Sequence, residues 1–291
     1  MGITIDSASG RDPDFYRLKA ERERELGHRM TSAEFIADGY VGYAERGGSD
    51  SSLSDSGTSV FDPVLCELDY AWFTAAGDRV LDPFAGGSVR GVVAAMMGRE
   101  YVGIDLRAEQ VEANVAQAAE ICGDVRPTWH VGDSLRMADI IGDAQFDHVF
   151  TCPPYGDLEL YSDDPCDLSA MAPDDFDAAY AEILRQACDR LRPDRFATIV
   201  VGNYRDRRGM LRDLVGLTVR AMEAAGCGYY NDIILSTPVG SLPVRVGRQF
   251  AATRKVGRTH QYVLNFVKGD PKAATGRLGD VVIPDIGDAD E

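Results

Sequence analysis

The fold of this chain is decided by the stretch Val80-Leu81-Asp82-Pro83-Phe84-Ala85-Gly86-Gly87-Ser88. Its first residues are typical of a short buried strand, and the two glycines break that strand into a turn before an apolar helix predicted over Val89–Met97. Glycine has no side chain to hold a ligand away, so such a turn at the carboxyl end of a strand can approach a bound molecule closely. The stretch therefore predicts a ligand-binding turn.

Two further acidic residues follow the next two predicted strands. Asp105 comes directly after the strand Tyr101–Ile104, and Asp133 follows the strand Thr128–Val131. A carboxylate at the first position can accept both hydroxyl groups of a ribose, and one at the second can accept a hydrogen bond from the adenine amino group. Their order predicts a nucleoside cofactor. In the alternative interpretation Asp105 caps a helix beginning at Leu106 and Asp133 belongs to an ordinary turn.

Two cofactors, NAD and S-adenosylmethionine, fit a turn of this kind. Gly86, Ser88 and Gly91 stand at the three spacings of the dinucleotide-binding pattern, but the middle position, which must admit a pyrophosphate, carries a serine. Asp82 places a negative charge where NAD would place phosphates, whereas S-adenosylmethionine offers an ammonium and a sulfonium group. The sequence therefore favours S-adenosylmethionine. In the alternative interpretation Asp82 only organises the turn.

Strand-like runs alternate with helical patterns from Phe61 to Val267. The predicted strands are Arg79–Leu81, Tyr101–Ile104, Thr128–Val131, His148–Thr151, Ala197–Val201, Asp232–Leu235 and Tyr262–Val267. This alternation predicts an α/β fold with a mostly parallel sheet and helices on both faces.

A diproline follows the fourth predicted strand, in the sequence Thr151-Cys152-Pro153-Pro154-Tyr155. The prolines end the strand, remove backbone donors and fix the chain, so the Pro153 carbonyl is left to accept a hydrogen bond. That carbonyl and the side chain before it can bind the two hydrogens of a planar amine and draw its lone pair out of conjugation. Tyr155 offers a face on which a base can stack. The motif predicts methyl transfer to an amine.

In this order the motifs resemble those of the class I S-adenosylmethionine-dependent methyltransferases, and among them the amino DNA methyltransferases that act on adenine N6 or cytosine N4. The resemblance runs from about Ser59 to Lys268 and implies a Rossmann-like, seven-stranded sheet with one antiparallel strand, matched by His260-Gln261-Tyr262-Val263-Leu264. It implies a catalytic motif of Cys152, Pro153, Pro154 and Tyr155. It implies a cofactor site formed by Phe61, Pro63, Asp82, Pro83, Phe84, Gly86, Gly87, Ser88, Asp105, Leu106, Asp133 and Ser134.

Residue 152 departs from that family, which has Asp, Asn or Ser at this position, because sulfur accepts hydrogen bonds only weakly. In one interpretation Cys152 replaces a serine of similar shape and the Pro153 carbonyl binds the amine. In another its thiolate attacks C6 of a pyrimidine to activate C5, although cytosine-C5 enzymes carry their cysteine after a proline. In a third the protein binds cofactor and nucleic acid without catalysis.

One segment is basic although the whole chain is acidic, with 30 Lys and Arg against 47 Asp and Glu and a formal net charge of −17. Residues 203–260 contain ten Lys or Arg and four acidic residues, and the part from Arg245 to Arg258 is predicted to be loop-like. We expect this segment to bind DNA phosphates. The expected contacts are Arg205, Arg207, Arg208, Arg245, Arg248, Arg254, Lys255 and Arg258. A solvated basic loop is the alternative.

The segment Gly156–Asp177, directly after the diproline, carries eight carboxylates and no basic residue. Asp174 and Asp175 suit a helix N-terminus behind Pro173. Four other carboxylates would have to contact base amines, hold a metal, pair with the arginines or move away from DNA: Asp157, Glu159, Asp163 and Asp164.

Residues 59–268 are predicted to form the methyltransferase domain, and the segments around it to be peripheral. Residues 1–58 contain a charged helical pattern at about Pro13–Leu26 and a Gly/Ser/Asp run, and residues 269–291 are predicted to be a flexible acidic tail. The chain shows no membrane-length apolar stretch and no secretion signal, so we expect a cytoplasmic protein without a membrane partner. The six cysteines form no C-x-x-C pair, so we expect reduced thiols and no metal site.

These observations predict an enzyme that methylates an exocyclic amine of a DNA base flipped out of the stack onto Tyr155. Few residues remain for reading a DNA sequence, so we expect short recognition or help from a partner protein. An RNA or other amine methyltransferase with the same site is one alternative, and an NAD-dependent oxidoreductase is another.

Overall fold

The protein is described from a computed structural model. It describes residues 4–6, 18, 21–22, 24–25, 61–123, 125–156, 161–162, 164–236 and 242–281, with only the backbone for residues 4–6 and 242–245. Within the predicted N-terminal helix, the described positions between Leu18 and Glu25 are helical. The Gly/Ser/Asp run that follows lies outside the described residues.

Strands and helices alternate along the chain, as the sequence predicts. The strands are β1 (Thr4–Asp6), β2 (Arg79–Asp82), β3 (Glu100–Asp105), β4 (Thr128–Val131), β5 (His148–Thr151), β6 (Arg195–Val201), β7 (Tyr204–Arg205), β8 (Leu211–Arg212), β9 (Gly228–Ser236) and β10 (His260–Lys268). The α-helices are α1 (Pro63–Phe73), α2 (Val89–Met96), α3 (Ala108–Ile121), α4 (Met137–Ile141), α5 (Pro173–Arg190), α6 (Leu214–Ala224), α7 (Leu242–Thr253) and α8 (Pro271–Gly276). None of the helices in the described part of the chain is long and apolar enough to cross a membrane.

The main sheet has the strand order β1-β9-β10-β6-β5-β2-β3-β4. Neighbouring strands are parallel except at β10, which runs antiparallel to both β6 and β9. This confirms the predicted α/β fold with one antiparallel strand. The dinucleotide-binding order has no such inserted strand. Sequence analysis missed β1, which pairs with the last residues of β9, because three residues are too few to show a period.

The two larger hydrophobic cores of the described residues lie on opposite faces of the sheet. Successive residues of a strand point to opposite faces, so Leu81 joins the core beneath α5 and α6 while Val80 joins the core beneath α1, α2 and α3. Tyr180 is fully buried in the first core and Tyr70 in the second. With both faces covered, a ligand can reach the central strands only at the edges where their loops lie.

The chain after β10 is structured further than predicted. Asp270 caps α8 by accepting a hydrogen bond from the backbone N–H of Lys272 (2.8 Å), and Ala274 is buried. The guanidinium of Arg277 pairs with the carboxylate of Asp78 (2.7 Å). The predicted flexible tail is therefore wrong up to this point, because Asp and Pro act here as the cap and first residue of a helix. Residues 282–291 lie outside the described residues.

A disulfide joins Cys188 near the end of α5 to Cys227 directly before β9, and both residues are buried. The expectation of reduced thiols is wrong for this pair. The two cysteines are 39 positions apart, so only the packing of α5 beside the start of β9 brings them together.

Gly103 of β3 packs so closely that a larger residue should destabilise the sheet. An added Cβ would lie 2.8 Å from the Cβ of Ala85 and 2.9 Å from the Trp129 ring. We expect Gly103→Ala to lower the free energy of unfolding by about 1–3 kcal/mol, because a tightly packed core must shift to accept the methyl group. Urea denaturation measures this. The matched control is Gly276→Ala in α8, where an added Cβ meets no neighbour within 4 Å and stability should be unchanged or higher. Equal stability of Gly103→Ala and the wild type would contradict the account.

Candidate cofactor and catalytic site

The predicted site residues converge at the carboxyl ends of the adjacent parallel strands β4, β3, β2 and β5. The backbone N–H of Gly86 donates to the Asp105 carboxylate, and the N–H of Gly132 donates to the Asp105 carbonyl (both 2.9 Å). The hydroxyl of Thr151 at the end of β5 donates to Asp82 at the end of β2 (2.6 Å). These hydrogen bonds join the four strand ends into one rim.

Asp82 is fully buried and its carboxylate is saturated by donors. One oxygen accepts hydrogen bonds from Arg90 Nε (2.6 Å) and the Tyr101 hydroxyl (2.7 Å). The other accepts from the backbone N–H of Phe84 (3.1 Å) and the Thr151 hydroxyl (2.6 Å). Because Arg90 neutralises its charge, the prediction that Asp82 attracts a cationic ligand is wrong. Its carboxylate organises the turn instead.

The glycine turn has open space in front of it. Gly86 has φ +49°, in the left-handed region that favours glycine, and an added Cβ on Gly86 or Gly87 would meet no atom of the described chain within 4 Å. Asn114 of α3 donates to the Gly86 carbonyl (2.7 Å). Ser88, predicted to contact the cofactor, is buried and donates its hydroxyl to Gln117. The turn is therefore braced by α3 from behind and accessible from the front.

Asp105 is half-buried at the end of β3 and accepts a backbone hydrogen bond on each carboxylate oxygen. Gly86 donates to Oδ2 and Arg107 donates to Oδ1 (both 2.9 Å). Each oxygen keeps a second lone pair, so the carboxylate can still accept two ribose hydroxyls. Burial raises the pKa of Asp105 above its ordinary value. The N-cap of α3 is Arg107, so Asp105 is not the helix cap of the alternative interpretation.

The end of β4 faces the glycine turn. Asp133 accepts a hydrogen bond from the N–H of Leu135 (2.9 Å) and starts a 3-10 helix there. Ser134, also predicted to contact the cofactor, is buried and donates its hydroxyl to the Pro83 carbonyl (2.7 Å). Ser134 therefore holds β4 against the turn, whereas Asp133 remains half-exposed at the rim. Two further predicted cofactor residues, Phe84 and Leu106, are half-buried.

Phe61 lies on the other side of the turn, near the ends of β2 and β5. The guanidinium of Arg90 lies 4.5 Å from the centroid of the Phe61 ring. The same ring meets Phe150 of β5 edge-on, with centroids 5.7 Å apart. Pro63 is buried in the first turn of α1. Phe61 thus borders the rim, while Pro63 packs beneath it, and their contact with the cofactor stays a prediction.

The diproline leaves β5 at this rim. Pro153 is buried, and Cys152 and Pro154 are half-buried. In the described part of the chain no residue donates a hydrogen bond to the Pro153 carbonyl. Cys152 packs at the edge of the core beneath α1, α2 and α3. The backbone acceptor expected from the two prolines is therefore present.

Tyr155 is held in one position by its neighbours. Gln261 of β10 donates from Nε2 to the Tyr155 hydroxyl. The Tyr155 ring meets Tyr204 edge-on with centroids 6.2 Å apart, and burial raises its pKa well above the ordinary value. Gly156 has φ +53°, and an added Cβ there would overlap the Tyr204 hydroxyl. The tyrosine is thus a fixed surface next to the diproline.

Two described residues of the acidic segment, Tyr161 and Cys166, lie near the ends of β3 and β4. The ring of Tyr161 lies 5.8 Å from the Arg107 guanidinium. Burial and the nearby Asp133 carboxylate raise the pKa of the Cys166 thiol above its ordinary value. Asp164 accepts a hydrogen bond from the N–H of Cys166, and Asp167 accepts one from the N–H of Ser169 (both 2.8 Å). These two carboxylates stabilise turns of their own loop.

The remaining acidic residues are only partly accounted for. Asp174 and Asp175 lie in the first turn of α5, as predicted. Asp177, for which no role was predicted, pairs with Arg212 of β8 (2.8 Å). The described residues contain no group of three or more His, Cys, Asp or Glu side chains that could hold a metal ion. Three acidic residues lie outside the described part of the chain: Asp157, Glu159 and Asp163.

The basic segment is divided between the β7–β8 hairpin and the region around the start of β10. Arg205, Arg207 and Arg208 are exposed on the hairpin, and Arg248, Arg254 and Arg258 are exposed on α7 and the loop after it. An added Cβ on Gly209 of the hairpin would overlap the amino group of Lys255, so the two parts are adjacent. The side chain of Arg245 is outside the described part.

The prediction that residues Arg245 to Arg258 form a loop is wrong up to Thr253. Those residues belong to α7, which begins at Leu242. The helix was not predicted because Pro243, which suits a helix start, and Gly247, a poor helix former in a helix interior, are also typical of loops. The loop that follows begins at Arg254, whose φ is +57°.

Sequence analysis missed four side chains that hold this site together: Arg90, Asn114, Tyr204 and Gln261. The first two carry a signal, because they are buried polar residues on otherwise apolar helix faces. The last two carry none. Gln261 contacts a tyrosine 106 positions away, and no local pattern reports such a contact.

Comparisons with known proteins agree with this geometry. A family model described as DNA methylase matches residues 71–117, which include the glycine turn and Asp105 but not the diproline. A comparison with curated proteins finds no match.

Several solved structures are similar in fold. The [4+2]-cyclase SpnF is 17% identical with a TM-score of 0.50, over 72% of this chain and 82% of that one. TrmN from Thermus thermophilus is 16% identical with a TM-score of 0.49, over 72% of this chain and 49% of that one, so the match spans about half of TrmN. A TehB-like SAM-dependent methyltransferase from Corynebacterium glutamicum is 18% identical with a TM-score of 0.45, over 78% of this chain and 96% of that one.

At identities this low, a structural similarity concerns the fold and does not identify the substrate. One of the proteins that share the fold is named as a cyclase. The family match over the glycine turn, taken with the strand order, indicates an S-adenosylmethionine-dependent methyltransferase. The open turn and the two unused lone pairs of Asp105 fit the cofactor.

Asp105 should control cofactor affinity. We expect Asp105→Asn to weaken binding of S-adenosylmethionine about tenfold or more, because an amide cannot accept from both ribose hydroxyls. Affinity for S-adenosylmethionine should also fall as the pH is lowered, because protonation of Asp105 removes an acceptor. Since the pKa of Asp105 is raised, this fall should begin at a higher pH than for an ordinary Asp carboxyl. Calorimetric titration measures both effects. Glu112→Gln, an exposed carboxylate on α3, is the control. Unchanged affinity of Asp105→Asn would exclude the predicted ribose contact.

Proposed function

We propose that this protein transfers a methyl group from S-adenosylmethionine to the exocyclic amine of a DNA base, adenine N6 or cytosine N4. The observation that carries this proposal is the diproline, in which Pro153 is buried and its carbonyl lacks a donor from any described residue. This carbonyl lies on the same rim as the glycine turn. The Thr151–Asp82 hydrogen bond joins the two strand ends directly (2.6 Å). The carbonyl that can accept a hydrogen bond from the amine is therefore held next to the glycine turn.

Bound S-adenosylmethionine supplies an electrophilic methyl group on its sulfonium. The protein has to present an amine whose lone pair is otherwise delocalised into the base. A carbonyl fixed by two prolines can accept one amine hydrogen and hold the nitrogen in a geometry that localises the lone pair. The methylated amine is acidic enough to lose a proton to water, so the site needs no strong general base. Cys152 then contributes shape rather than a strong hydrogen bond.

Tyr155 is the proposed stacking surface for the flipped base. A base must leave the duplex to reach the rim, and enzymes of this type hold it between aromatic or apolar side chains. The hydrogen bond from Gln261 and the contact with Tyr204 keep the Tyr155 ring from rotating. Little side-chain entropy is therefore lost when a base stacks on this ring.

The position of the basic groups supports a nucleic acid as substrate. The hairpin and the Arg254–Arg258 loop both adjoin the Tyr155 contacts, since Tyr204 begins the hairpin and Gln261 follows the loop. Phosphates bound by these exposed cations would bring a strand across the rim. Arg212 is excluded from this surface because it pairs with Asp177.

The catalytic motif can be tested with three variants. We expect Tyr155→Ala to lose methyl transfer to DNA while keeping cofactor affinity, and Tyr155→Phe to retain most of it, because stacking needs only the ring. Cys152→Ser should remain active if the thiol supplies shape. A tritium-transfer assay on duplex DNA and on structured RNA measures this, with Tyr229→Ala, an exposed tyrosine of β9, as the control. Labelling of RNA alone would assign the activity to RNA, and complete loss in Cys152→Ser would favour covalent cytosine-C5 chemistry.

Reversing two cations of the proposed phosphate surface should weaken DNA binding. The double variant Arg254→Glu, Lys255→Glu should also reduce the dependence of log affinity on log salt by up to about two units, because fewer counterions are released. The matched control is Arg126→Glu with Lys272→Glu, which changes the same charge at exposed positions on the opposite edge of the sheet. If log affinity depended on log salt equally in the two double variants, the loop that contains Arg254 and Lys255 would be solvated and would not bind phosphates.

A further inference from the structure

The β7–β8 hairpin is a short, rigid projection next to the proposed catalytic motif. The backbone N–H of Asp206 donates to the Met210 carbonyl (3.0 Å), and the N–H of Gly209 donates to the Asp206 carbonyl (2.8 Å). The Asp206 carboxylate accepts a further bond from the Met210 N–H (2.8 Å). Arg207 and Arg208 form the exposed turn. Three hydrogen bonds within five residues fix the shape of the tip.

The base of the hairpin is attached to the stacking tyrosine. Tyr204 of β7 is nearly buried, meets Tyr155 edge-on and covers Gly156. On the other side, Lys255 packs over Gly209 at the turn. Because both its base and its turn are held, the hairpin should not swing independently of the catalytic motif.

The strand register indicates which side chains share a face of the hairpin. Tyr204 pairs with Arg212, and Arg205 pairs with Leu211. Side chains alternate between the two faces of a strand, so Met210 shares a face with Tyr204 and Arg212, whereas Leu211 and Arg205 lie on the opposite face. Met210 is therefore on the face that carries the contact with Tyr155.

Met210 is apolar, flexible and 58% exposed at this position. An exposed apolar residue next to arginines suits a duplex, because proteins that unstack bases insert apolar wedges while cations hold the adjacent phosphates. A thioether side chain can adapt to an irregular gap between bases. The chemistry of the tip therefore fits the space that a flipped base leaves behind.

We infer that Met210 is a wedge that enters the base stack and occupies the place of the flipped target base, with Arg207 and Arg208 on the flanking phosphates. The inference rests on the proposed function, since it presupposes a duplex DNA substrate. It makes Met210 a positioning residue, which acts by stabilising the extrahelical base rather than by touching the amine.

The test compares Met210→Ala with wild type on two DNA duplexes of the same sequence. In one duplex the target base is normally paired, and in the other it lies opposite an abasic site and is already loosely stacked. We expect Met210→Ala to lower kcat/KM about tenfold on the paired duplex and to recover most of this loss on the abasic duplex, where less unstacking is required. Met210→Leu, which keeps an apolar side chain of similar size, should be about as active as wild type on the paired duplex.

Leu211→Ala is the matched control, because Leu211 is the adjacent apolar residue, is 50% exposed and lies on the opposite face of the same hairpin. It should behave as wild type on both duplexes. A second readout is the fluorescence of 2-aminopurine at the target position, which should rise when wild type binds and rise less with Met210→Ala.

Equal losses on the two duplexes, or full activity of Met210→Ala on both, would overturn the wedge while leaving the proposed function intact. Failure of the wild type to label either duplex would instead overturn the proposed function, and the wedge with it.

Discussion

The buried carboxylate of Asp82 is the interaction on which the rest of the site depends. Its four hydrogen bonds come from α2, β3, β5 and the glycine turn, so one side chain sets the spacing between the cofactor turn and the diproline. A buried ion pair is stable only when every donor and acceptor is satisfied, and removing one partner of such a pair typically costs about 3–5 kcal/mol. The fold tolerates this charge because Arg90 compensates it and also binds the carbonyls of Phe84 and Ala85.

The sheet topology then distributes the functions along one edge. The ends of β2, β3 and β4 form the proposed cofactor side, and the end of β5 forms the proposed catalytic side. Because β10 runs antiparallel, its first residues lie at the same edge as the last residues of its neighbours, where Tyr262 pairs with Val201. This reversal brings Gln261 and the basic loop before it to the catalytic side. The one antiparallel strand thus places the proposed phosphate surface beside the diproline.

Sequence alone predicted the seven main strands, the glycine turn and the position of the diproline, because each is encoded in a short local pattern. The role of Asp82 was predicted wrongly, because the Arg90 guanidinium that neutralises it comes from α2, and the direction of that side chain depends on packing. The hydroxyls of Ser88 and Ser134 bond within the protein, which no local pattern reports, and the contact of these residues with the cofactor stays a prediction. The helices α7 and α8 were mistaken for loop because Pro and Gly have different meanings at a helix start and in a loop. Long-range partners such as Tyr204 and Gln261 leave no local trace.

The central claim is that a fixed backbone carbonyl presents a base amine for methylation, and the product tests it most directly. DNA would be incubated with the protein and S-adenosylmethionine carrying an isotopically labelled methyl group, digested to nucleosides and analysed by mass spectrometry. The account predicts the label on the exocyclic nitrogen, as N6-methyladenine or N4-methylcytosine. Label found only on carbon 5 of cytosine, or no labelled nucleoside from DNA, would contradict it.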